Sequence, residues 1–386
     1  MSKIKSMYTY ILALLPLLAN YKLFALDSNR MITIGLFLII ILIPLEFGFA
    51  ISKPKRIKLN LLFIIFCIYF LFRADFTVYY IAYVTSFFWG ICGGLSNLLD
   101  REKHRKIIIY VSLFAACSVI LQTIVHKLAG IHIPMNIPGL ISSEEYQSLI
   151  LTAMDSTTQL YRPSAFFLEP AHFCQYTVVG LVLLIDHEKQ YKYFFIYEII
   201  ISIGMILTTS GMGIVLMLGA WGWKFLKQCS LSKIAMQRTL IGIMAAMLTI
   251  LIASDFPIVQ KIWSRINGSS GYNAIGGRIF AAYWLFPTMT ERQWLMGVGY
   301  SNRPDYYMTG FIQFIYCLGI IGLTLFITSF FYGYFRKTQD AKIITIVYIA
   351  LMFISSNVSS ISIMWWATIC MEIDNHKKSL VRFKWG

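Results

Sequence analysis

Residues 162–184 read RPSAFFLEPAHFCQYTVVGLVLL, with Arg162, Glu169, Pro170 and His172 at the head of an apolar run of lipid grade. A charged side chain at the centre of a bilayer costs about 2.5–3.5 kcal/mol on insertion scales, so ionisable groups beside such a run are functional-site candidates. Proline suits the first position of a helix, where its missing N–H is no loss and its φ is already set. That makes Glu169 the cap, and Glu169, His172 and Tyr176 then follow i, i+3, i+7 spacing on one face. If the helix starts near Ser164 instead, Pro170 breaks it and the freed carbonyls open a polar notch. In both arrangements Glu169 meets the positive end of a helix dipole, which favours an ionised carboxylate and a neutral imidazole. Such a carboxylate is suited to accepting a proton or orienting a hydroxyl. The plain structural alternative is a Glu169–Arg162 ion pair that anchors the helix.

A second set of candidates is Arg265, Arg278, Arg292 and Arg303. Arginine keeps its charge everywhere and grips phosphate bidentately, so these point to an anionic lipid or pyrophosphate ligand. Arg278 follows Gly276-Gly277 at an expected helix start, where backbone N–H groups add to anion binding. Snorkelling to lipid headgroups is the alternative, more so for Arg292 and Arg303. Glu46 and Glu198 lie in apolar runs but within two turns of a cytoplasmic end. His126 and His132 read as interfacial or loop residues rather than ligands.

These residues must be positioned by membrane helices. The chain has 386 residues, 58% hydrophobic and only 13% charged, with a mean hydropathy of +0.68; a soluble domain holds about 25% charged residues. Apolar runs at 8–26, 31–51, 59–73, 76–98, 107–128, 165–185, 193–208, 211–226, 239–254, 309–334, 343–356 and 359–372 predict about twelve spans. The reading is therefore an all-α polytopic membrane protein, a single integral membrane domain over 1–386. The N-terminus resembles a signal peptide without a cleavage site, so 8–26 is taken as the first transmembrane helix.

The net charge of +15 is a topology signal rather than a nucleic-acid surface, because the charges fall in short clusters between apolar runs. Clusters at 53–58, 100–106, 224–238, 336–342 and 376–384, with 186–192 and the N-terminal lysines, hold 23 of the 33 Lys and Arg. The positive-inside rule places them, and both termini, in the cytoplasm. Six of the other ten fall in two long stretches, 129–164 and 255–308, which are thereby extracytoplasmic loops. Loops of that length are functional or disordered, and neither has the composition of disorder. In the first, Ser142 and Glu145 have capping-box spacing ahead of an apolar segment. In the second, residues 276–299 predict a helix closed near Pro287, then a Gly-punctuated turn. The seven cysteines, in or beside apolar runs, form neither a disulfide framework nor a zinc site. No paired-carboxylate metal motif, G-x-S-x-G or P-loop is present, so neither a cofactor nor a metal is expected.

The order of motifs resembles the bacterial O-antigen polymerase and ligase superfamily: Arg162 to Pro170 entering a helix, Thr208-Thr209-Ser210-Gly211 between two helices, GGR ending at Arg278, LMGVGYSN (295–302) and GFIQFIYCLGIIGLTLF (310–326). Related sequences often carry Arg after the Ser of the paired helices, where this chain has Met212 beyond Gly211. The ligase branch generally has a histidine soon after the G-x-G turn, and residues 300–316 hold none, which favours a polymerase. The resemblance implies a GT-C-like glycosyltransferase of the Wzy type in the bacterial inner membrane. It would join undecaprenyl-pyrophosphate-linked oligosaccharides outside the cytoplasm, alongside a flippase and a chain-length regulator. Glu169, His172 and Arg278 would then be catalytic; Arg162, Arg265, Arg303, Tyr176, Tyr300 and Asn302 would bind the pyrophosphate or lipid-linked sugar. An O-antigen ligase shares the fold and donor. A transporter of lipid-linked sugars is the rival from another class, expected to show inverted-repeat halves that are not evident here.

Overall fold

The computed structural model describes residues 2–18, 21–25, 31–35, 37, 38, 40–42, 61–74, 99–135, 141, 142, 153, 161–229, 237, 276–304 and 308–355. In chain order these form α1 (Ser2–Leu18), β1 (Tyr21–Ala25), β2 (Met31–Thr33), α2 (Leu61–Arg73), α3 (Arg101–Ala129), β3 (Ile141–Ser142) and α4 (Pro170–Asp186). There follow α5 (Phe194–Leu207), α6 (Gly211–Cys229), α7 (Gly276–Leu285), α8 (Glu291–Met296), α9 (Gly310–Phe331) and α10 (Gln339–Ile354). The described residues are thus mostly helical. Among them α3 and α9, of 29 and 22 residues, are long and apolar enough to cross a membrane; α2, α4 and α5 are shorter apolar helices. The runs at 76–98, 239–254 and 359–372 lie outside the described residues, as does most of 31–51.

Two expectations change. The first apolar run is not one helix over 8–26, because α1 ends at Leu18 and Tyr21–Ala25 is extended. An extended segment must find backbone partners elsewhere, and Tyr21 and Lys22 pair antiparallel with Ser142 and Ile141. Ser142 is therefore a strand residue rather than the cap of a helix, while Glu145 lies outside the described residues. The chain also divides into two compact units: Met1–Ala19, Leu23–His104 and Ala281–Gly386 in the first, Asn20–Lys22 and Arg105–Phe280 in the second.

The first unit is organised by an aromatic core. Phe66 of α2 stacks on Phe314 and meets Phe326, both on α9, at ring separations of 6.2 and 5.1 Å. Phe330 of α9 stacks on Tyr348 of α10 at 4.9 Å. Helix α9 is broken at Gly319 (φ 68°, ψ −177°), a region open to glycine alone. A Cβ there would strike the Leu295 carbonyl, and one on Gly297 the Cys317 carbonyl. The two glycines let the turn after α8 dock on the break.

The second unit is built around α4. Its side chains are buried on all sides from His172 to Ile185, the pattern of a helix at the centre of a bundle. Small residues allow the close approach: a Cβ on Gly180 would collide with Ser112 of α3, and one on Gly213 of α6 with Cys174.

Candidate functional site

Helix α4 starts where the sequence places proline. Pro170 occupies the first turn and Glu169 is the N-cap, extended at φ −135° and ψ 150°, because a residue before proline is pushed out of the helical region. Of the two arrangements the sequence allowed, this is the one with Glu169 as cap. The Glu169 side chain makes no capping bond of its own. It has no hydrogen bond or ion pair among the described residues, Arg162 included, and it is partly exposed. The plain ion-pair anchor is thus not formed. His172 and Tyr176 follow it into the interior; Tyr176 packs on Phe167 at 5.5 Å.

Arg162 reaches the same end of α4 from the preceding loop. Its N–H donates to the Ala153 carbonyl at 2.6 Å, and its charge acts on Cys174 in the second turn of α4. Cys174 also ties in the turn between α5 and α6: its Sγ lies 3.4 Å from Thr208 Oγ1. The Arg162–Pro170 and Thr208–Gly211 motifs, well separated along the chain, therefore meet around the head of α4.

The loop is held by Gln122 and Tyr161, which the sequence did not single out, and by His126 and His132, which it placed at the interface or in a loop. Gln122, buried near the end of α3, donates through Nε2 to the Ile133 carbonyl (2.8 Å) and accepts from the Ala165 N–H (3.0 Å). Ala165 needs that support, because its φ of 54° is in the left-handed region. Tyr161 lies flat on His126, ring centroids 3.8 Å apart at 7°. Its hydroxyl is 2.7 Å from His132 Nδ1 and donates to the Gln122 carbonyl at 3.2 Å. Burial pushes the Tyr161 hydroxyl up to about 12, so it stays protonated at physiological pH. His126 and His132 are thus loop-fixing residues beside Arg162. Their shared tyrosine is the link that spacing along the chain does not display.

No protein-family model, curated protein or solved structure matches the chain. The reading of the site therefore rests on its own chemistry.

In the first unit, Tyr300, Asn302 and Arg303 belong to one turn. Val298 and Gly299 donate their N–H groups to the Tyr316 and Cys317 carbonyls, at 2.8 and 3.0 Å, just before the break in α9. Tyr69 donates to the Leu318 carbonyl at 2.7 Å, and Arg73, at the end of α2, donates to the Gly297 carbonyl at 2.5 Å. The carbonyls freed by the break are met in this way, as buried backbone requires. Tyr300 is interior, its hydroxyl accepting from Gln313 Nε2 at 2.6 Å. Asn302 donates to the Val298 carbonyl at 3.0 Å and closes the turn. Arg303 is exposed and has no ion-pair partner among the described residues. Arg278 falls in the first turn of α7, as expected from the two glycines before it, with only its backbone described; Arg265 lies outside the described residues.

Proposed function

We propose that this chain is an O-antigen polymerase of the Wzy type, a glycosyltransferase that joins undecaprenyl-pyrophosphate-linked repeat units into polysaccharide and releases undecaprenyl pyrophosphate. It works in the bacterial cytoplasmic membrane with about twelve spans in a GT-C-like arrangement. Both termini are cytoplasmic and the head of α4 faces the periplasm.

The observation that carries this reading is the Glu169 carboxylate: at a helix N-terminus, partly exposed, and without a side-chain partner among the described residues. A carboxylate held by the helix dipole is available to a ligand hydroxyl. In the reaction Glu169 orients the acceptor sugar hydroxyl and takes its proton as the new glycosidic bond forms, with His172 behind it. The pyrophosphate leaves from the donor sugar carrying the electron pair of the broken bond. Arg278 and Arg162 stabilise that developing charge, supported by Arg265. Ser164 donates to the Phe167 carbonyl at 2.7 Å, which helps hold the loop that brings Arg162 and Glu169 to one end.

Deletion of the gene in its host tests the class. A polymerase mutant keeps single repeats on the lipid A-core and loses the lipopolysaccharide ladder, and the wild-type gene restores the ladder. A mutant with no repeats attached identifies a ligase, and one that accumulates lipid-linked repeats in the cytoplasmic leaflet identifies a transporter. Extension is expected to continue in EDTA, because the sequence carries no metal motif.

A further inference from the structure

The turn between α5 and α6 carries a residue in an unfavourable conformation. Thr209 has a φ of 52°, a left-handed conformation in which a β-branched side chain is an outlier. Glycine would adopt it freely, and a glycine stands only two positions on, at Gly211. The hydroxyls on either side are engaged: Thr208 Oγ1 donates to the Met205 carbonyl at 2.7 Å and contacts Cys174, and Ser210 Oγ accepts from the Gly213 N–H at 3.4 Å. The Thr209 hydroxyl is different. Its Oγ1 is buried and has no hydrogen-bond partner among the described residues. Backbone strain and an orphaned polar atom thus fall on one residue, next to Thr208, which contacts Cys174 near the head of α4. Strain of this kind persists where the surroundings impose it and clusters at ligand sites. A buried polar atom without a partner among the described residues calls for an explanation, and a ligand group is one that fits a site.

We propose that the Thr209 hydroxyl is a substrate contact, paired with a hydroxyl of the lipid-linked saccharide as it enters beside Glu169. This rests on the polymerase reading for the identity of the ligand. A threonine hydroxyl is donor and acceptor at once, which matches a sugar hydroxyl; phosphate oxygens, which only accept, are served by the arginines. The strained backbone holds this hydroxyl in place before substrate arrives.

Three variants of the full chain, purified in lipid nanodiscs, separate hydroxyl from strain: Thr209→Val keeps the branch and loses the hydroxyl, Thr209→Ser keeps the hydroxyl, and Thr209→Gly removes both hydroxyl and strain. The probes are the host's own lipid-linked repeat, the saccharide freed from it by mild acid, and inorganic pyrophosphate. Thr209→Val is expected to bind the freed saccharide about tenfold more weakly, the scale of one lost hydrogen bond, with pyrophosphate binding unchanged. Thr209→Ser should stay within about twofold of wild type on the same scale. Thr209→Gly should lose the same affinity and yet melt at a higher temperature than wild type. The proposal is overturned by wild-type saccharide binding in Thr209→Val, by equal weakening of saccharide and pyrophosphate, or by no rise in melting temperature for Thr209→Gly. Should Thr209→Val fail to fold, the Thr209→Ser and Thr209→Gly pair decides on the same criteria. A wild-type protein that binds the saccharide through Thr209 but never extends the lipid-linked repeat overturns the polymerase reading and leaves this contact standing.

Discussion

The two ends of α4 treat charge in opposite ways. At its C-terminal end, Lys227 donates to the Ile185 and Asp186 carbonyls and pairs with the Asp186 carboxylate at 3.1 Å. Close by, the buried Glu198 of α5 pairs with Lys224 of α6 at 2.5 Å, and Lys224 lies 3.9 Å from Glu188. Lys224 is further surrounded by the rings of Trp221, Phe194 and Phe195 at 5.2–5.7 Å. At the N-terminal end, the Glu169 carboxylate has no such partner, and the adjoining turns hold Ala165 and Thr209 in left-handed conformations. One end spends its charges on holding helices together. The other leaves the Glu169 carboxylate and the buried Thr209 hydroxyl without partners among the described residues and tolerates backbone strain, as the ligand site proposed above requires.

The largest expected effect belongs to Glu169. Glu169→Gln is expected to lower the rate of polymer extension by about 10²–10⁴-fold, the range for a lost general base, while the melting temperature stays at the wild-type value. A fall in melting temperature together with activity would make Glu169 a structural residue like Glu198. Next in size, Lys224→Met or Glu198→Gln should destabilise the protein by about 3–5 kcal/mol, since either leaves a buried charge without its partner. The double variant should recover most of that loss, with extension per folded molecule unchanged; unfolding in graded denaturant reads both. Gly319→Ala, in the first unit, should cost about 1–3 kcal/mol, the scale of a forced backbone conformation, and should free the turn that carries Tyr300 and Asn302. Limited proteolysis within 297–303 would report that release, and an unchanged digestion pattern would speak against it. The smallest effect is that of Lys227→Met, about 0.3–1 kcal/mol from a cation lost at a helix C-terminus.

Local chemistry made some of this fold legible from the chain. Pro170 set the start of α4 and Glu169 as its cap, and Gly297 and Gly299 marked a turn, because each depends on one residue's own backbone preference. What depended on distant partners was not legible. The extended Tyr21–Ala25 lies inside an apolar run that reads as helix, and only pairing with Ile141 and Ser142 shows otherwise. Gly319 and Gly322 are equivalent in sequence, yet the break falls at Gly319, where the turn from Leu295 to Gly297 packs against it. Helix α8 could have been read from the Thr290 to Gln293 spacing, which forms a full capping box; the same kind of spacing at Ser142 lies instead in a strand. In the site, Arg162, Glu169 and His172 stood out by residue type. His126 and His132 read only as interfacial or loop residues, and Gln122 and Tyr161 did not stand out at all, because the role of all four lies in contacts across 11 to 43 residues of chain.

The most direct measurement is extension by the purified protein alone. Full-length protein in nanodiscs is given lipid-linked repeat units from its host, without ATP or nucleotide sugar, and the products are sized. The expected result is a ladder of lengthened lipid-linked saccharide with release of undecaprenyl pyrophosphate, reduced to the unextended repeat by Glu169→Gln at unchanged melting temperature. No extension by the wild-type protein, or a full ladder from Glu169→Gln, would contradict the assignment of Glu169 as the group that activates the acceptor.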